Sequence, residues 1–371
     1  MNLPGLRRRR VAEADVAVVG SGLPALITAL ELRRRGASVI LTGGEPKSEH
    51  GLGLALLGPA CPYSSVANAL GRGAAQRLWA AGCENHLRLR AFVDAAACDL
   101  GFRAGGSFTL ARTRAQGEAL AESEDMLSDD GFPGEFLDHY MLETRFDVTG
   151  FRAGYWAAGD AEVDLAALRE AAGHAARAAG VVIRPGRVRA VSDEASGVCV
   201  ELSAGSLRCA AAVVASEGAG AELLPEIASR VRSAASARFA FAPVPGAALP
   251  TAARTADGRV AWQARGATIV LEETSSAASE GPSFLDEPAQ LPFEPASVRR
   301  TDATHELTLD GLPLVGRLPG RPLALACGFS GLAPGLAFAA ARWVADALLR
   351  GSDPTPDALR AGRAPHVFPD V

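Results

Sequence analysis

Gly20-Ser21-Gly22-Leu23-Pro24-Ala25 is the stretch whose residue types and spacing dictate a chemistry by themselves. In a G-x-G-x-x-A turn the glycines let the backbone approach a ligand closely, and the small last residue lets the next helix pack tightly. Free N–H groups at that helix's N-terminus favour an anion such as a pyrophosphate. Gly20 and Gly22 are therefore candidate dinucleotide contacts, with Ala25 as the packing residue. The other candidates are isolated side chains. His305 could act on a substrate near neutral pH, or be a structural histidine beside a strand. Tyr155 and Trp156 could flank a cationic amine, or pack between domains. Trp262 and Arg265 sit on adjacent expected strands and are candidates for lining a pocket. Lys47 is the only lysine and lies in a polar loop, so lysine-dependent covalent chemistry has one candidate. Six cysteines are scattered without C-x-x-C pairs or histidine spacing, so neither a metal site nor a disulfide framework is expected.

The elements that must position these groups start with a βαβ unit. Asp15 to Val19 is a short β-branched run, Leu26 to Arg35 carries apolar residues at helical spacing and ends at Gly36, and Ala37 to Leu41 is a second strand. Residues 51–59 are apolar and glycine-rich. Residues 66–100 read as helix, 105–110 as a strand, 116–127 as helix and 135–143 as a further short helix. Gly154 to Trp156 is a strand end, and Ala161-Glu162-Val163-Asp164 leads into a helix over 165–178. A small meander is expected over 187–191, 198–202 and 206–208, followed by a separate buried strand over 211–218. Residues 234–273 alternate strands with proline turns, 275–297 read as a loop, and the chain closes with a strand at 323–327 and a helix over 336–349.

Composition sets outer limits. The chain has 371 residues, 48% of them hydrophobic, enough for two domains with substantial cores. No apolar run reaches the length of a membrane span, and a pI near 5.8 gives no support to nucleic-acid binding. Arg7 to Arg10 reads as a solvated basic tail, and a cytoplasmic location is expected.

The Thr308-Leu309-Asp310-Gly311-Leu312-Pro313-Leu314-Val315-Gly316 segment, the following strand, Gly328-Phe329-Ser330-Gly331 and the closing helix resemble the C-terminus of the D-amino-acid oxidase/glycine oxidase (DAO) superfamily. With the N-terminal turn, the 161–164 helix entry and the 213–218 strand, the resemblance extends over nearly the whole chain. Residues 77–138, with Gly105-Gly106-Ser107 in their middle, are most similar to its gamma-glutamylputrescine-oxidase-like, amine-oxidising branch. This resemblance implies an α/β protein with a Rossmann-type FAD-binding domain and an interleaved antiparallel-sheet (α+β) substrate domain. The FAD-binding part would comprise 11–90, 150–225 and 305–360, and the substrate part 91–149 and 226–304, with tails at 1–10 and 361–371. It further implies non-covalent FAD, an amine or N-substituted amino-acid substrate, and hydride transfer to flavin N5 that leaves an imine. Gly311, Gly328, Phe329, Ser330 and Gly331 would then lie near the flavin ring and ribityl chain, with Cys327 adjoining them.

Three positions depart from the family pattern. Thr42-Gly43-Gly44 stands where relatives carry a ribose-binding glutamate, and Glu45 is the nearest carboxylate. The flavin loop is reduced to the apolar 51–60 run, leaving Gly51 and Gly53 backbone bonds in place of serine, arginine and asparagine. His305 stands where amino-acid-oxidising relatives place a carboxylate-binding arginine, a role left to Arg299, Arg300 or Arg265. These losses define the alternative reading, a non-catalytic or flavin-poor DAO-fold protein acting as a partner subunit or binding protein. A nicotinamide-dependent dehydrogenase is a third reading, and a covalent flavin link at His50 is a remote one. With Lys47 as sole lysine, a dehydrogenase is favoured over relatives that use a lysine to activate oxygen.

Overall fold

The computed structural model describes residues 13–44, 51–132, 134–216, 220–245, 250–275, 294, 297–366 and 368. Glu45, Lys47 and His50 lie outside them. Along the chain run β1 (Ala14–Val19), α1 (Leu23–Arg34), β2 (Val39–Gly43), β3 (Leu54–Ala55), α2 (Tyr63–Leu70), α3 (Arg72–Asp94), β4 (Ser107–Ala111) and α4 (Arg114–Asp129). They are followed by β5 (Gly134–Asp138), α5 (His139–Phe146), β6 (Ala153–Ala157), β7 (Ala161–Glu162), α6 (Leu165–Ala178) and β8 (Val182–Pro185). Next come β9 (Val188–Glu194), β10 (Gly197–Leu202), β11 (Gly205–Val214), α7 (Gly220–Leu223), α8 (Pro225–Ala228), β12 (Val231–Phe241) and β13 (Ala252–Thr255). The chain ends with β14 (Val260–Arg265), β15 (Thr268–Ser275), β16 (Arg299–Thr308), β17 (Leu314–Arg317), β18 (Leu323–Cys327) and α9 (Ala333–Leu349).

Strands buried on both faces cannot show alternation, which is why β1 and β18 read as continuous apolar runs. The first sheet has the order β17-β18-β11-β1-β2-β8, parallel except for β17, with β10 and β9 continuing antiparallel from β11. Helices α1 and α9 pack together on one face, where Leu26, Leu30, Ala337, Ala341 and Trp343 share a core with α6. Asp164 starts α6 as expected, its carboxylate accepting from the N–H groups of Ala166 and Ala167 at 2.9 and 3.1 Å.

Strand β11 corrects one expectation. The third meander strand and the buried strand after it form one unbroken element, whose first half pairs with β10 and second half with β1 and β18. Arg208 hid the continuity because it interrupts the apolar pattern, while burial on both faces begins only at Ala212. Residues 135–143 are a second correction. Glu135 to Asp138 belong to β5, paired with β6, and only from His139 does the chain turn helical, capped by Asp138.

The second sheet has the order β16-β12-β15-β14-β13-β4-β6-β5. β6 and β16, through Thr308, both pair into this sheet. One face is apolar, with Phe108, Phe239, Phe241, Val260, Trp262 and Leu271 in one cluster. The opposite face is polar yet buried. The register aligns Tyr155, Thr109, Arg254, Ala261, Glu272 and Arg238 across successive strands. Ser107, Thr109, Arg254, Gln263, Glu272 and Ser236 are all less than 9% exposed. The C-terminal residues expected as a tail also fold back. Arg363 is 6% exposed in its side chain and engages both carboxylate oxygens of Asp310, while Nη2 donates to Leu312 O at 2.8 Å.

Candidate cofactor and substrate site

Gly20 adopts φ +149°, and a Cβ there would lie 2.3 Å from Ala215 O and 3.0 Å from the Ala25 Cβ, so only glycine fits the turn. Gly43 meets the same turn from β2, where a Cβ would come within 2.8 Å of Gly20. Gly22 is the N-cap of α1 with no side chain bonding the first turn, and no acidic residue lies there. Those N–H groups therefore suit an anion. Thr42, next to last in β2, is 1% exposed, and its hydroxyl has no hydrogen-bond partner among the described residues. An orphaned hydroxyl beside a glycine cradle and an open helix N-terminus fits a dinucleotide held mainly by backbone.

A second glycine turn enters α9. Gly328, Ser330 and Gly331 have φ +71°, +52° and +80°, and Ser330 in the left-handed region is a strain that side chains rarely accept. The first turn of α9 is also uncapped. Thr308 lies against Gly328, where a Cβ would be 2.4 Å from Thr308 Cγ2, and the Thr308 hydroxyl is buried without a partner. Asp310 is fixed by Leu312 N at 3.0 Å, His366 N at 2.9 Å and Arg363. Burial alone would raise its pKa, but the Arg363 guanidinium and these N–H donors hold it below the usual carboxylate range.

Between the two turns runs the apolar 51–59 segment, held by its backbone. Arg238 Nη2 donates to Gly51 O at 3.1 Å, Gln263 Oε1 accepts from Gly53 N at 2.9 Å, and Arg254 Nη1 donates to Pro59 O at 2.8 Å. Leu57 N donates to Asp160 Oδ1 at 2.8 Å, and His86 Nε2 lies 2.9 Å from Ala55 O. Gly51 abuts Gly331, with 3.0 Å from its Cβ position to Gly331 O, and Gly335 leaves 2.6 Å to Leu56 O. At Gly53 a Cβ would be 1.7 Å from Val163 O, so this glycine is fixed by packing. Asn85, fully buried on α3, completes the assembly. It donates to Pro334 O at 2.8 Å and accepts from Phe338 N and Ala339 N at 2.9 and 3.2 Å.

Unpartnered polar atoms lie on the strands that hold this segment, β12, β14 and β7. Arg238 Nε, Arg265 Nε, Ser236 Oγ and Glu162 Oε1 are buried with no hydrogen-bond partner among the described residues. Arg238 also pairs with Glu272 at 3.1 Å, Glu162 lies opposite Leu54 in the β3–β7 ladder, and Arg103 joins Glu162 at 3.3 Å to Ala264 O at 2.8 Å. Native proteins rarely leave such atoms unpaired, so they mark places for a polar ligand or water. An apolar cavity of about 40 Å³ lies at the C-terminal end of the segment, lined by Leu56, Leu57, Gly311, Phe329, Leu332 and Gly335 among others.

The expected residues sort unevenly against this geometry. Gly311, Phe329 and the loop meet at the apolar cavity, and Arg265 lies on β14 with its Nε buried and unpartnered among the described residues. Trp262 does not. It is fully buried on the apolar face, its indole donating to Pro250 O at 3.1 Å, because a one-residue step along a strand reverses the side chain. Tyr155 faces the polar side and Trp156 the other. His305 pairs by backbone with Ala234, and its side chain lies outside the described residues. Arg299 and Arg300 are exposed, Arg300 bonding Asp302 at 2.9 Å. Cys327 is fully buried in β18. Arg238, Glu272, Gln263 and Glu162 were not singled out by sequence. Their one signal is polar residues alternating with apolar ones in strands, which marks a face and not a role. Among the described residues, no group of three or more His, Cys, Asp or Glu is placed to hold a metal ion, and no helix is long and apolar enough to cross a membrane.

Comparison with known proteins agrees with this layout. No curated protein matches the sequence. Among solved structures, glycine oxidase from Geobacillus kaustophilus superposes with a TM-score of 0.77 at 19% identity, covering 96% of this chain and 100% of that one. L-amino acid deaminase from Proteus vulgaris gives 0.73 at 15%, covering 95% and 98%, and iminodiacetate oxidase from Chelativorans sp. BNC1 gives 0.70 at 15%, covering 93% and 98%. The model of the FAD dependent oxidoreductase family, DAO, matches residues 15–347. Glycine turns at both helix N-termini, an orphaned Thr42 hydroxyl and a family match over most of its length place this chain in the DAO family of FAD-dependent oxidoreductases.

Proposed function

We propose that the chain is a flavoprotein oxidoreductase acting on the C–N bond of an amine or N-substituted amino acid that bears a carboxylate. The observation that carries this reading is that Arg238 Nε and Glu162 Oε1 are buried and unpartnered on residues that meet the loop abutting the second glycine turn. FAD, when bound, would supply the two-electron oxidant for the C–N bond. The chain's own residues do the rest. The Gly20–Gly22 turn and the first turn of α1 hold the pyrophosphate, and Thr42 offers its hydroxyl to the ribose end. Arg238 keeps one donor free toward a substrate carboxylate while Glu272 and Gly51 O fix its orientation. Glu162 presents one unoccupied oxygen to an ammonium group. The apolar Leu52, Leu54 and Leu56 side chains are buried and keep water from the loop. The names of the superposed oxidases and deaminase, which act on glycine, L-amino acids and iminodiacetate, support the substrate class.

The purified chain incubated with FAD is expected to retain flavin on gel filtration and to lose its visible flavin absorbance when mixed anaerobically with N-substituted amino acids. Arg238→Met is expected to raise KM for carboxylate-bearing substrates at least tenfold while the flavin stays bound. Failure to retain FAD, or bleaching by no amine or amino acid, overturns the proposal.

A further inference from the structure

His86 stands on α3 with both ring nitrogens against main-chain carbonyls. Nδ1 lies 2.9 Å from Gly82 O, one turn back on the same helix, and Nε2 lies 2.9 Å from Ala55 O in β3. A carbonyl oxygen accepts hydrogen bonds and cannot donate one, and a neutral imidazole carries a single N–H. In either neutral tautomer, one bare nitrogen therefore points its lone pair at an oxygen. Only the imidazolium, with two N–H groups, makes both bonds. The contact has little room to relax. A Cβ at Gly82 would lie 2.0 Å from Leu57 O, and one at Gly335 would lie 2.6 Å from Leu56 O, so the loop is held between α3 and the first turn of α9.

We propose that His86 is a pH-sensitive positioning residue: doubly protonated, it ties Ala55 O to α3, and on losing one proton it frees that part of the loop beside the second glycine turn. The charges on the helices around it are engaged with one another. On α3, Glu84 pairs with Arg88 at 2.9 Å and with Arg342 of α9 at 2.5 Å, and Arg90 pairs with Asp94 at 2.9 Å. On α9, Asp346 pairs with Arg342 and Arg35 at 3.2 and 2.6 Å. Tyr63 of α2 bonds Asp130, Asp357 beyond α9 pairs with Arg360 at 3.1 Å, and burial pushes the Cys83 thiol up, which keeps it neutral. On the far side of the loop stand Glu162 and Asp160. Arg103 engages Glu162 at 3.3 Å, whereas Asp160 is the carboxyl whose charged form Arg254 and a positive His86 favour against burial. Asp160 accepts from Leu57 N at 2.8 Å, and its charged form makes that bond stronger. One proton on His86 therefore tightens two anchors of the loop, at Ala55 O and at Leu57 N. The bond that needs the second proton stabilises the folded chain below the ordinary histidine value of about 6.5 and is lost as pH rises above it.

The test uses the full chain. The Tm of the wild type is expected to exceed that of His86→Gln by roughly 3 °C more at about pH 6 than at about pH 8.5. NMR of the wild type carrying isotope-labelled histidine is expected to show, at about pH 6, one ring whose two N–H protons are both protected from exchange and give cross-peaks to Gly82 and Ala55. That readout stands if the variant does not fold. An equal Tm difference at the two pH values, or no such doubly protonated ring, overturns the proposal. The consequence for the cofactor rests on the function proposed above: FAD affinity is expected to fall about fivefold more between the two pH values in the wild type than in His86→Gln. The same pH dependence of FAD affinity in both chains overturns the link between His86 and the site. No FAD binding, with the Tm and NMR results as expected, overturns that function and leaves the clamp standing.

Discussion

The two sheets meet one glycine-rich segment in opposite ways. The parallel sheet and its helices contribute backbone: the Gly20–Gly22 turn, the open first turns of α1 and α9, and the close approach of Gly331 to Gly51. The antiparallel sheet contributes side chains, with Arg238, Gln263 and Arg254 reaching the same segment from three strands. Backbone chemistry tolerates almost no substitution at its glycines and almost any elsewhere. Side-chain chemistry depends on a few long residues whose loss leaves their partners exposed.

Gly20→Val strikes the backbone side and carries the largest expected effect. A side chain 2.3 Å from Ala215 O forces the turn open, and FAD binding is expected to disappear in a fluorescence titration, with aggregation or a large drop in Tm. On the side-chain side, Arg238→Met removes one partner of a largely buried pair, with Glu272 9% exposed, and is expected to cost about 3 kcal/mol in urea unfolding. The double variant Arg238→Met/Glu272→Leu is expected to recover part of that loss. If it does not, the pair is not the source of the cost. Asn85→Ala removes three hydrogen bonds between α3 and the first turns of α9, and about 2 kcal/mol is expected.

The smallest effect is a pH dependence. The Asp310 pKa is lowered in the folded chain, so its contribution is present above the ordinary aspartate pKa of about 3.9 and is lost as pH falls through the folded value. Stability is expected to fall between about pH 5 and pH 3 by roughly 1 kcal/mol more in the wild type than in Asp310→Asn. Equal slopes would assign the acid sensitivity to other carboxylates.

The same contrast explains what was legible in the sequence. Gly20, Gly22 and Ala25 are informative because no other residue types satisfy their geometry, and the βαβ unit around them could be read directly, with β2 reaching Gly43 instead of Leu41. The C-terminal motif likewise announces itself through Gly311, Gly328 and Gly331. Arg238 does not, because it is one arginine in a chain whose basic residues are nearly all arginine, and its role follows from a register linking residues far apart in sequence. Trp262 shows the cost of a missing register: being on the right strand is not enough when alternate residues face opposite ways. Arg363 was hidden for a different reason, since a polar C-terminal stretch looks solvated until its partner Asp310 is known.

The backbone anchoring of residues 51–59 has a consequence for how this loop changes over time. Gly51 O, Gly53 N, Ala55 O, Leu57 N and Pro59 O are held by side chains that read only main-chain atoms. Such anchors are indifferent to the residues they hold, so Leu52, Leu54 and Leu56 can drift among apolar types without moving the path of the chain. A loop with that property can exchange a polar lining for an apolar one by single steps, each leaving a folded protein, and so retune what it accepts before its scaffold registers any change.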